Sequence, residues 1–376
     1  NFVGGLPLPL VLVAFLIAAV VRIFVGSATV SMTMAAGIMA SMPAGPLKGI
    51  QKFTLPDMLV SFSRIQSVLT APGVAGSVAA GSVAGVVSAG VDYAHLRRAN
   101  DGFSAACVYE TPFSPKPECQ SAPNPSVMVW GDSFAMHLVP GIVATTRRGV
   151  LQATRGNCPP TVGLAPLSDV FYQRPWSEAC IAFNDSVLDY LRRTKSIEVV
   201  VLSSPFRQLL TPEDPRNHWR TLAHQDGALV EGEASIERAE AALRATVRAL
   251  TGMGKRVVLV APPPASGFSI GACAERRAQG KLVLGAPRAD CDVPVDDYHR
   301  MYARTRQLLE ALKGEPGVEV VSLDGLLCDA SRCVSSLDGQ LLYVDGAHLT
   351  HEGSVRVAQR LGFGAWLNPL PAATPR

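Results

Sequence analysis

Two short segments, far apart in the chain, contain the residue types needed for nucleophilic catalysis. Gly131, Asp132 and Ser133 directly follow a short apolar run, and Asp345 and His348 lie three residues apart near the C-terminus. A serine hydroxyl is a poor nucleophile at neutral pH unless a base takes its proton and a third group orients that base. An aspartate beside a histidine in the sequence can form such an orienting hydrogen bond. Each segment alone is common in turns, but together they indicate a serine-based catalytic site.

The predicted elements place the serine segment at one edge of a sheet. Short apolar runs predict strands, and the segments between them have the apolar periodicity of helices. The predicted strands are Val127–Trp130, Gly149–Thr154, Glu198–Ser203, Arg256–Ala261 and Val318–Leu323, and the predicted helices are Ala135–Thr146, Trp176–Arg193, Glu233–Leu250, Asp297–Leu312 and one capped by Thr350. Apolar strands alternating with helices are typical of a parallel sheet covered on both faces. Chemistry in such sheets takes place at the carboxyl ends of the strands, where Ser133 lies.

The residues around both segments resemble a known family. The sequence VMVWGDSFAMHL (127–138) is similar to the first signature block of SGNH, or GDSL-like, hydrolases, and VDGAHLT (344–350) is similar to their last block. The sequence NCPP (157–160) and the cysteine pair before the last block are similar to the SGNH domain fused behind acyltransferase-3 membrane domains. The resemblance covers residues 104–365. It implies a three-layer α/β/α, flavodoxin-like domain of the α/β class with a mainly parallel sheet.

The resemblance also implies an activity and the role of each residue. Ser133 would be the nucleophile, His348 the base and Asp345 the orienting acid of a Ser-His-Asp triad that transfers an acetyl group to a cell-surface polysaccharide. The acyl donor would come from a membrane acyltransferase domain or partner. No metal and no organic cofactor is implied, because a triad supplies its own base. A carboxylesterase or polysaccharide deacetylase would use the same residues, and an inactive glycan-binding module is a further alternative.

The oxyanion hole departs from the family pattern. The sequence has no Gly-x-Asn-Asp block, and Ser204 lies at the corresponding strand end. Gly156 is at the position of the family's oxyanion glycine. The backbone N–H of Ser133 lies near the start of a predicted helix, where an anion is stabilised. The candidate oxyanion-hole donors are therefore Ser133, Gly156 and Ser204.

A second serine segment, Gly267–Gly271, matches the G-x-S-x-G pattern of a nucleophile elbow. That motif needs its serine directly after a strand, whereas Pro262–Pro264 separate Ser269 from the predicted strand. Ser269 is therefore predicted to be a loop residue. His137, one turn beyond the candidate nucleophile, either packs or faces the substrate. Arg207, just after a strand end, either contacts an anionic sugar or forms a surface ion pair.

The eight cysteines all lie after residue 91, and none forms a C-x-x-C pair. An even number of cysteines after an apolar N-terminal region is typical of a protein that folds in an oxidising compartment and forms disulfides. The alternative is that the cysteines are reduced and buried as small apolar residues. Many pairings are possible. The spacing favours bonds between neighbours in the sequence: Cys107–Cys119, Cys158–Cys180, Cys273–Cys291 and Cys328–Cys333.

The first 91 residues differ from the rest of the chain. They contain four cations and one anion, whereas the remainder has 30 of each. The run Leu6–Val25 is long enough for a transmembrane helix, the alternative being a buried helix, and it lacks the preceding cationic region of a signal peptide. Ser27–Met42 predicts a second span or an interfacial segment. Pro72–Val91 is rich in glycine and predicts a linker, although Gly81 and Gly85 have the spacing of a helix-dimer face.

These features predict four regions and a location. The regions are a membrane segment of one or two transmembrane helices at 1–45, a linker and periplasmic extension at 46–120, the SGNH catalytic domain at 121–368 and a tail at 369–376. We expect a protein of the bacterial inner membrane whose catalytic domain lies in the periplasm. A net charge of +3 without a basic patch argues against a nucleic-acid partner. The predicted partners are the membrane, the glycan acceptor and the source of the acyl donor.

Overall fold

The computed structural model describes residues 92–110, 112–210, 213–214, 217–286 and 288–368. The chain divides into two units, 1–86 and 87–376, and only the second contains described residues. The predicted spans Leu6–Val25 and Ser27–Met42, the glycine-rich linker and the tail therefore lie outside the described residues. Within the described ranges, no helix is both long and apolar enough to cross a membrane.

A parallel sheet of five strands forms the centre of the domain. The strands of the domain are β1 Val127–Gly131, β2 Val150–Thr154, β3 Leu164–Leu167, β4 Val199–Ser203, β5 Glu213–Asp214, β6 Asn217–His218, β7 Arg220–Gln225, β8 Ala228–Glu233, β9 Arg256–Val260, β10 Val293–Pro294, β11 Val318–Val321, β12 Arg332–Cys333, β13 Ser336–Leu337 and β14 Gln340–Leu341. The central sheet has the order β2-β1-β4-β9-β11, with every neighbour parallel. Strands β1, β2 and β4 are buried at each position. In this flavodoxin-like order the winding reverses between β1 and β4, which is where such sheets bind ligands.

Helices cover both faces of the sheet. They are α1 Tyr93–Leu96, α2 Ser133–Met136, α3 Val139–Thr145, α4 Arg174–Arg193, α5 Arg207–Leu210, α6 Ile236–Gly252, α7 Ile270–Ala278, α8 Val295–Met301, α9 Ala303–Glu310, α10 Asp324–Leu327, α11 His351–Leu361 and α12 Gly364–Leu367. Helices α4, α6 and α9 pack on one face with Met128 and Trp130, and α3, α8 and α11 pack on the other with Val127 and Val129. Successive residues of β1 point to opposite faces. The three-layer α/β/α architecture predicted from the sequence is confirmed.

Several predicted helices have different ends in the structure. The helix predicted over 135–146 is divided into α2 and α3, and Pro140 lies in the first turn of α3, where its missing N–H costs nothing. The helix predicted from Glu233 begins only after Ser235, which caps α6, because Glu233 ends strand β8. The helix predicted over 297–312 is divided into α8 and α9.

A small antiparallel sheet in the order β3-β7-β8 has no counterpart among the predicted elements. Its two long strands are joined by Asp226 and Gly227, which both have positive φ, at 49° and 80°. A two-residue hairpin turn of this kind favours Asp-Gly, so the Asp226-Gly227 dipeptide is the feature of the sequence that could have predicted this hairpin. Leu222 of β7 and Leu164 of β3 fix the sheet to the apolar cluster that contains α4.

The described residues of the segment 105–120, which belongs to the extension predicted before the catalytic domain, pack on the edge of the central sheet. Val108 pairs with Thr154 of β2, and Gln120 pairs with Leu151. Tyr109 lies in the same apolar cluster as α4. This segment therefore forms part of the folded domain.

Four disulfides join the eight cysteines in the pairs that their spacing favours: Cys107–Cys119, Cys158–Cys180, Cys273–Cys291 and Cys328–Cys333. Cys158–Cys180 joins the loop after β2 to α4, and Cys273–Cys291 joins α7 to the loop before β10. The bonds thus restrain loops close to the carboxyl edge of the sheet as well as the N-terminal extension.

Candidate active site

The turn after β1 positions the candidate nucleophile. Strand β1 ends at Gly131, whose φ is 152°, and a Cβ there would lie 2.3 Å from the carbonyl oxygen of Ser203 at the end of β4. Glycine allows the two strand ends to approach this closely. Asp132 then caps α2 by accepting a hydrogen bond from the N–H of Phe134 at 2.9 Å. Ser133, the first residue of α2, therefore lies at the switch point between β1 and β4.

Ser133, His348 and Asp345 form a chain of hydrogen bonds. Ser133 Oγ is 2.8 Å from His348 Nε2, and His348 Nδ1 is 2.9 Å from Asp345 Oδ2. The other carboxylate oxygen of Asp345 accepts the backbone N–H groups of Ala347 and His348, both at 2.9 Å. These bonds fix the carboxylate under the imidazole. The fold thus brings together the three residues of the predicted triad, although the serine and the histidine are 215 positions apart.

The surroundings of Asp345 and His348 lower the pKa of Asp345 and raise the pKa of His348, the candidate base. Burial opposes the charge of Asp345, but the hydrogen bonds from His348 and the adjacent backbone hold the pKa of this carboxyl well below its ordinary value. Burial also opposes the charge of His348, yet the hydrogen bond and the charge of Asp345 outweigh it and raise the pKa of His348. Because Nδ1 donates to Asp345, Nε2 accepts the proton of the Ser133 hydroxyl. The arrangement can therefore deprotonate a serine as it attacks a carbonyl carbon.

Asp132 is a second carboxyl beside the nucleophile, and only 2% of its surface is exposed. Its Oδ2 accepts a hydrogen bond from Ser204 Oγ at 2.6 Å. Burial raises the pKa of Asp132 to about 6, although hydrogen bonds from Ser204 and the Phe134 backbone act in the opposite direction. The charge of Asp132 contributes to the raised pKa of His348. Asp132 therefore shapes the nucleophile turn and also acts electrostatically on the base.

The three predicted oxyanion-hole donors lie in different surroundings. The Ser133 N–H is at the first position of α2. The Ser204 hydroxyl donates to Asp132 at 2.6 Å and accepts the Phe206 N–H at 3.1 Å. Gly156 lies in the turn after β2. All three donors stay predictions.

A cavity of about 490 Å³ opens beside His348. Its wall includes Pro205, Arg207 and Gln208 after β4, then Trp219, the loop residues Gly267, Phe268 and Ser269, and Met301 at the end of α8 with Tyr302 directly after it. Phe134 also lines it, and the Phe134 ring lies 4.7 Å from the His348 ring. This volume is in the range of small-molecule sites, about 300–1,000 Å³.

Arg207 is a candidate ligand-binding residue from its position in the sequence, whereas Trp219 and Tyr302 are not, although all three line the cavity. Arg207 is the first residue of the short helix α5, and its side chain is exposed. Trp219 precedes β7, and Tyr302 lies between α8 and α9. Neither Trp219 nor Tyr302 belongs to a local sequence motif. The only feature of the sequence that could have indicated either one is that Trp219 is a lone tryptophan in a polar stretch.

Ser269 lines this cavity from a loop, as the sequence predicts a loop position for it. It is exposed and precedes α7 as its N-cap residue. The loop is held against the histidine turn, because the Gly271 N–H donates to the carbonyl oxygen of Asp345 at 2.9 Å. The base itself is hydrogen-bonded to Ser133. The geometry therefore favours Ser133 over Ser269 as the nucleophile.

His137 packs beneath the site. It is 1% exposed, its Nδ1 accepts the Leu349 N–H at 3.3 Å, and its ring lies 5.9 Å from the His348 ring. Burial lowers the pKa of His137 well below its ordinary value, so this imidazole is neutral. Among the described residues, no group of three or more histidine, cysteine, aspartate or glutamate side chains is arranged to hold a metal ion.

Comparison with known families identifies the domain. A model of the family described as "SGNH domain (fused to AT3 domains)" matches residues 99–362. The chain belongs to this family. A model of the GntP permease family matches residues 1–82, the region in which the sequence predicts membrane spans. The comparison with curated protein sequences finds no significant match.

Three solved structures are similar to this SGNH protein. The periplasmic domain of a lipopolysaccharide acetyltransferase from Salmonella ser. Paratyphi A has 17% identity and a TM-score of 0.43, and the match covers 64% of this chain and 82% of that one. A protein of Streptococcus pneumonia provisionally described as a platelet activating factor has 13% identity and a TM-score of 0.35, covering 66% and 86%. A protein of Bacteroides fragilis provisionally assigned as an acylhydrolase has 14% identity and a TM-score of 0.34, covering 74% and 100%.

Proposed function

We propose that the protein is an extracytoplasmic serine O-acyltransferase that passes an acetyl group to a cell-surface polysaccharide through an acyl-enzyme. The hydrogen-bonded chain from Ser133 to His348 to Asp345, with links of 2.8 and 2.9 Å, carries the proposal. Membership of the SGNH family supports the same three roles. The bacterial inner membrane, with the catalytic domain on the periplasmic side, is the proposed location.

The reaction would proceed in two halves. In the first, His348 Nε2 takes the Ser133 proton while Oγ attacks the acyl carbonyl carbon of the donor. The resulting oxyanion lies near the N-terminus of α2, and its collapse expels the donor's leaving group, which receives the proton from His348. In the second, His348 takes the proton of an acceptor hydroxyl as its oxygen attacks the acyl carbon, and Ser133 regains its proton. Asp345 stays ionised and stabilises the imidazolium in both halves.

Transfer is favoured over hydrolysis by the context of the domain. The family is fused to AT3 domains, and the N-terminal 82 residues match a permease family. Four disulfides support an oxidising compartment outside the cytoplasm. Cytoplasmic acyl-CoA is absent from that compartment, so a donor delivered from the membrane side would explain why a membrane region is joined to the catalytic domain. Water in place of a sugar hydroxyl would make the same site an esterase.

The first test measures cleavage of p-nitrophenyl acetate by the 376-residue chain in detergent. We expect Ser133→Ala to lower kcat/KM by roughly 10³-fold or more, because the nucleophile is removed while the fold is kept. Ser269→Ala is the matched control, since this serine lines the cavity beside His348, whereas the hydroxyl bonded to His348 Nε2 is that of Ser133. Retention of more than about a tenth of the parent activity by Ser133→Ala would contradict the assignment.

A second measurement separates transfer from hydrolysis. The enzyme is given p-nitrophenyl acetate with and without an oligosaccharide, and the products are identified by mass spectrometry. Acetylated oligosaccharide supports the transferase. Acetate alone at every acceptor concentration supports the esterase.

A further inference from the structure

Four aromatic side chains form a continuous group on the surface beside the cavity, and we call Phe171, Tyr172, Trp176 and Trp219 the aromatic platform. The ring centroid of Tyr172 lies 6.5 Å from Phe171, 4.4 Å from Trp176 and 5.4 Å from Trp219. The planes of Trp176 and Trp219 are tilted by only 32° and 30° from that of Tyr172. The platform contains two of the four tryptophans of the protein.

Phe171 is held in an exposed position by a well-bonded turn. Its surface is 64% exposed. The Ser168 hydroxyl accepts the backbone N–H groups of Phe171 and Tyr172 at 3.0 and 3.2 Å, and the Ser168 N–H donates to the Tyr172 carbonyl at 2.9 Å. Asp169 forms an ion pair with Arg220 of β7. The fold thus stabilises an exposed apolar ring, and exposed apolar groups of this kind mark binding surfaces.

The aromatic platform continues into the catalytic cavity. Trp219 lines the cavity, and Gln208, on the same wall, is hydrogen-bonded to the Tyr172 side chain. Arg207, next to Gln208, places a cation on this wall. A ligand that enters the cavity can therefore extend over Trp219 toward Phe171 along one surface.

A saccharide fits this combination of groups. One face of a pyranose ring consists of C–H groups that pack on an aromatic ring, and the hydroxyls at its rim suit amide and guanidinium donors such as Gln208 and Arg207. A membrane surface fits less well, because the cation beside the platform, Arg220, is paired with Asp169 and Glu231, so this edge offers little excess positive charge to anionic headgroups. An acyl chain would need a more enclosed apolar pocket than an exposed platform offers.

We propose that the aromatic platform is a saccharide subsite, which holds the sugar residues next to the one whose hydroxyl enters the cavity. Its role in placing an acceptor rests on the proposed acyltransferase function. Saccharide binding itself needs no catalysis, so it is measured independently of Ser133.

The test uses the full chain in a detergent without a sugar headgroup, with chitohexaose and cellohexaose as probes. Tryptophan fluorescence reports binding, because two tryptophans are in the platform. We expect Phe171→Ala to weaken the affinity for the saccharide that binds by roughly 3- to 10-fold, the loss typical of one aromatic contact. Leu284→Ala is the matched control, since Leu284 is also a large exposed apolar residue, at 81%, and is not part of the platform. Thermal unfolding of both variants shows whether each is folded.

Equal affinity of the two variants would overturn the subsite, and so would a parent protein that binds neither saccharide. Comparing Ser133→Ala with Phe171→Ala separates this proposal from the proposed function. If Ser133→Ala keeps full ester cleavage while Phe171→Ala loses saccharide affinity, the acyltransferase proposal fails and the subsite stands. If Ser133→Ala abolishes cleavage while Phe171→Ala binds saccharide normally, the subsite fails and the catalytic assignment stands.

Discussion

Two carboxyl groups near Ser133, the proposed nucleophile, have pKa values displaced in opposite directions. Asp345 accepts three hydrogen bonds, and its pKa lies well below the ordinary value. Asp132 is buried, and its pKa is raised to about 6. Opposite pKa shifts in two neighbouring carboxyl groups are a common sign that the two groups have different roles. At neutral pH, Asp345 orients His348 from one side, and the charge of Asp132 acts on the same imidazole from the nucleophile turn.

The raised pKa of His348 predicts the pH dependence of the reaction. The base acts only when it is neutral, so kcat/KM for p-nitrophenyl acetate should rise with pH, with a midpoint above the ordinary histidine value of 6.5. Asp132→Asn removes one of the charges that raise this pKa, so its midpoint should move to lower pH. A pH series of kcat/KM for both proteins measures the shift. A midpoint below about 6.5 for the parent protein would contradict the raised pKa of His348. A midpoint that does not move in Asp132→Asn would contradict the electrostatic role of Asp132.

At the scale of elements, the position of His348 depends on how α11 packs. Helix α11 begins three residues after His348 and lies against α3, which follows the nucleophile turn. The contact is close at Gly141, because its N–H donates to Ser354 Oγ at 3.1 Å and a Cβ would lie 2.4 Å from the Ser354 carbonyl oxygen. Ser133 and His348 thus lie in segments that directly precede two helices sharing one tight contact.

Gly141→Ala should disturb this contact. The added methyl group forces the helices apart, so we expect the free energy of unfolding to fall by about 1–3 kcal/mol. The ester-cleaving kcat should fall as well, because Ser133 and His348 lose their alignment. Denaturant unfolding and steady-state kinetics measure the two effects. Gly252→Ala is the control, since a Cβ there meets no atom within 4 Å, and equal stability of both variants would show that the helix contact is unimportant.

At the scale of the whole molecule, the described domain combines a buried parallel sheet with four disulfides that join loops to helices or to each other. The bonds span 12, 22, 18 and 5 positions in the sequence. Closing a longer loop removes more entropy from the unfolded chain. Cys158–Cys180 should therefore contribute the most of the four.

All eight cysteines should be oxidised in the folded protein. Thiol titration of the denatured protein should detect none before reduction and eight after it. Replacing Cys158 and Cys180 by alanine should lower the free energy of unfolding by about 3 kcal/mol, and replacing Cys328 and Cys333 by about 2 kcal/mol. Thiols in the unreduced protein, or a larger loss from the second pair, would argue against this ranking.

The sequence by itself determined the features that depend on neighbouring residues. The apolar runs predicted the five central strands, Thr350 was identified as a cap, and the spacing of the cysteines favoured the four bonds that form. The Gly-Asp-Ser and Asp-Gly-Ala-His segments marked the candidate triad, because each is a short local pattern. Such patterns are visible in the sequence since strand burial, helix capping and short loops are local properties.

Only the tertiary structure decided what surrounds those residues. It directed the Ser204 hydroxyl to Asp132, placed Ser269 in the cavity without a hydrogen bond to the base, and assembled Phe171, Tyr172 and Trp219 into one surface. Ser204 is distant in the sequence from Asp132, and Trp219 is distant from Phe171 and Tyr172, so no local pattern relates them. Their contacts follow from the register of the strands and from the packing of helices on the sheet. Both depend on residues throughout the domain and not on any one segment.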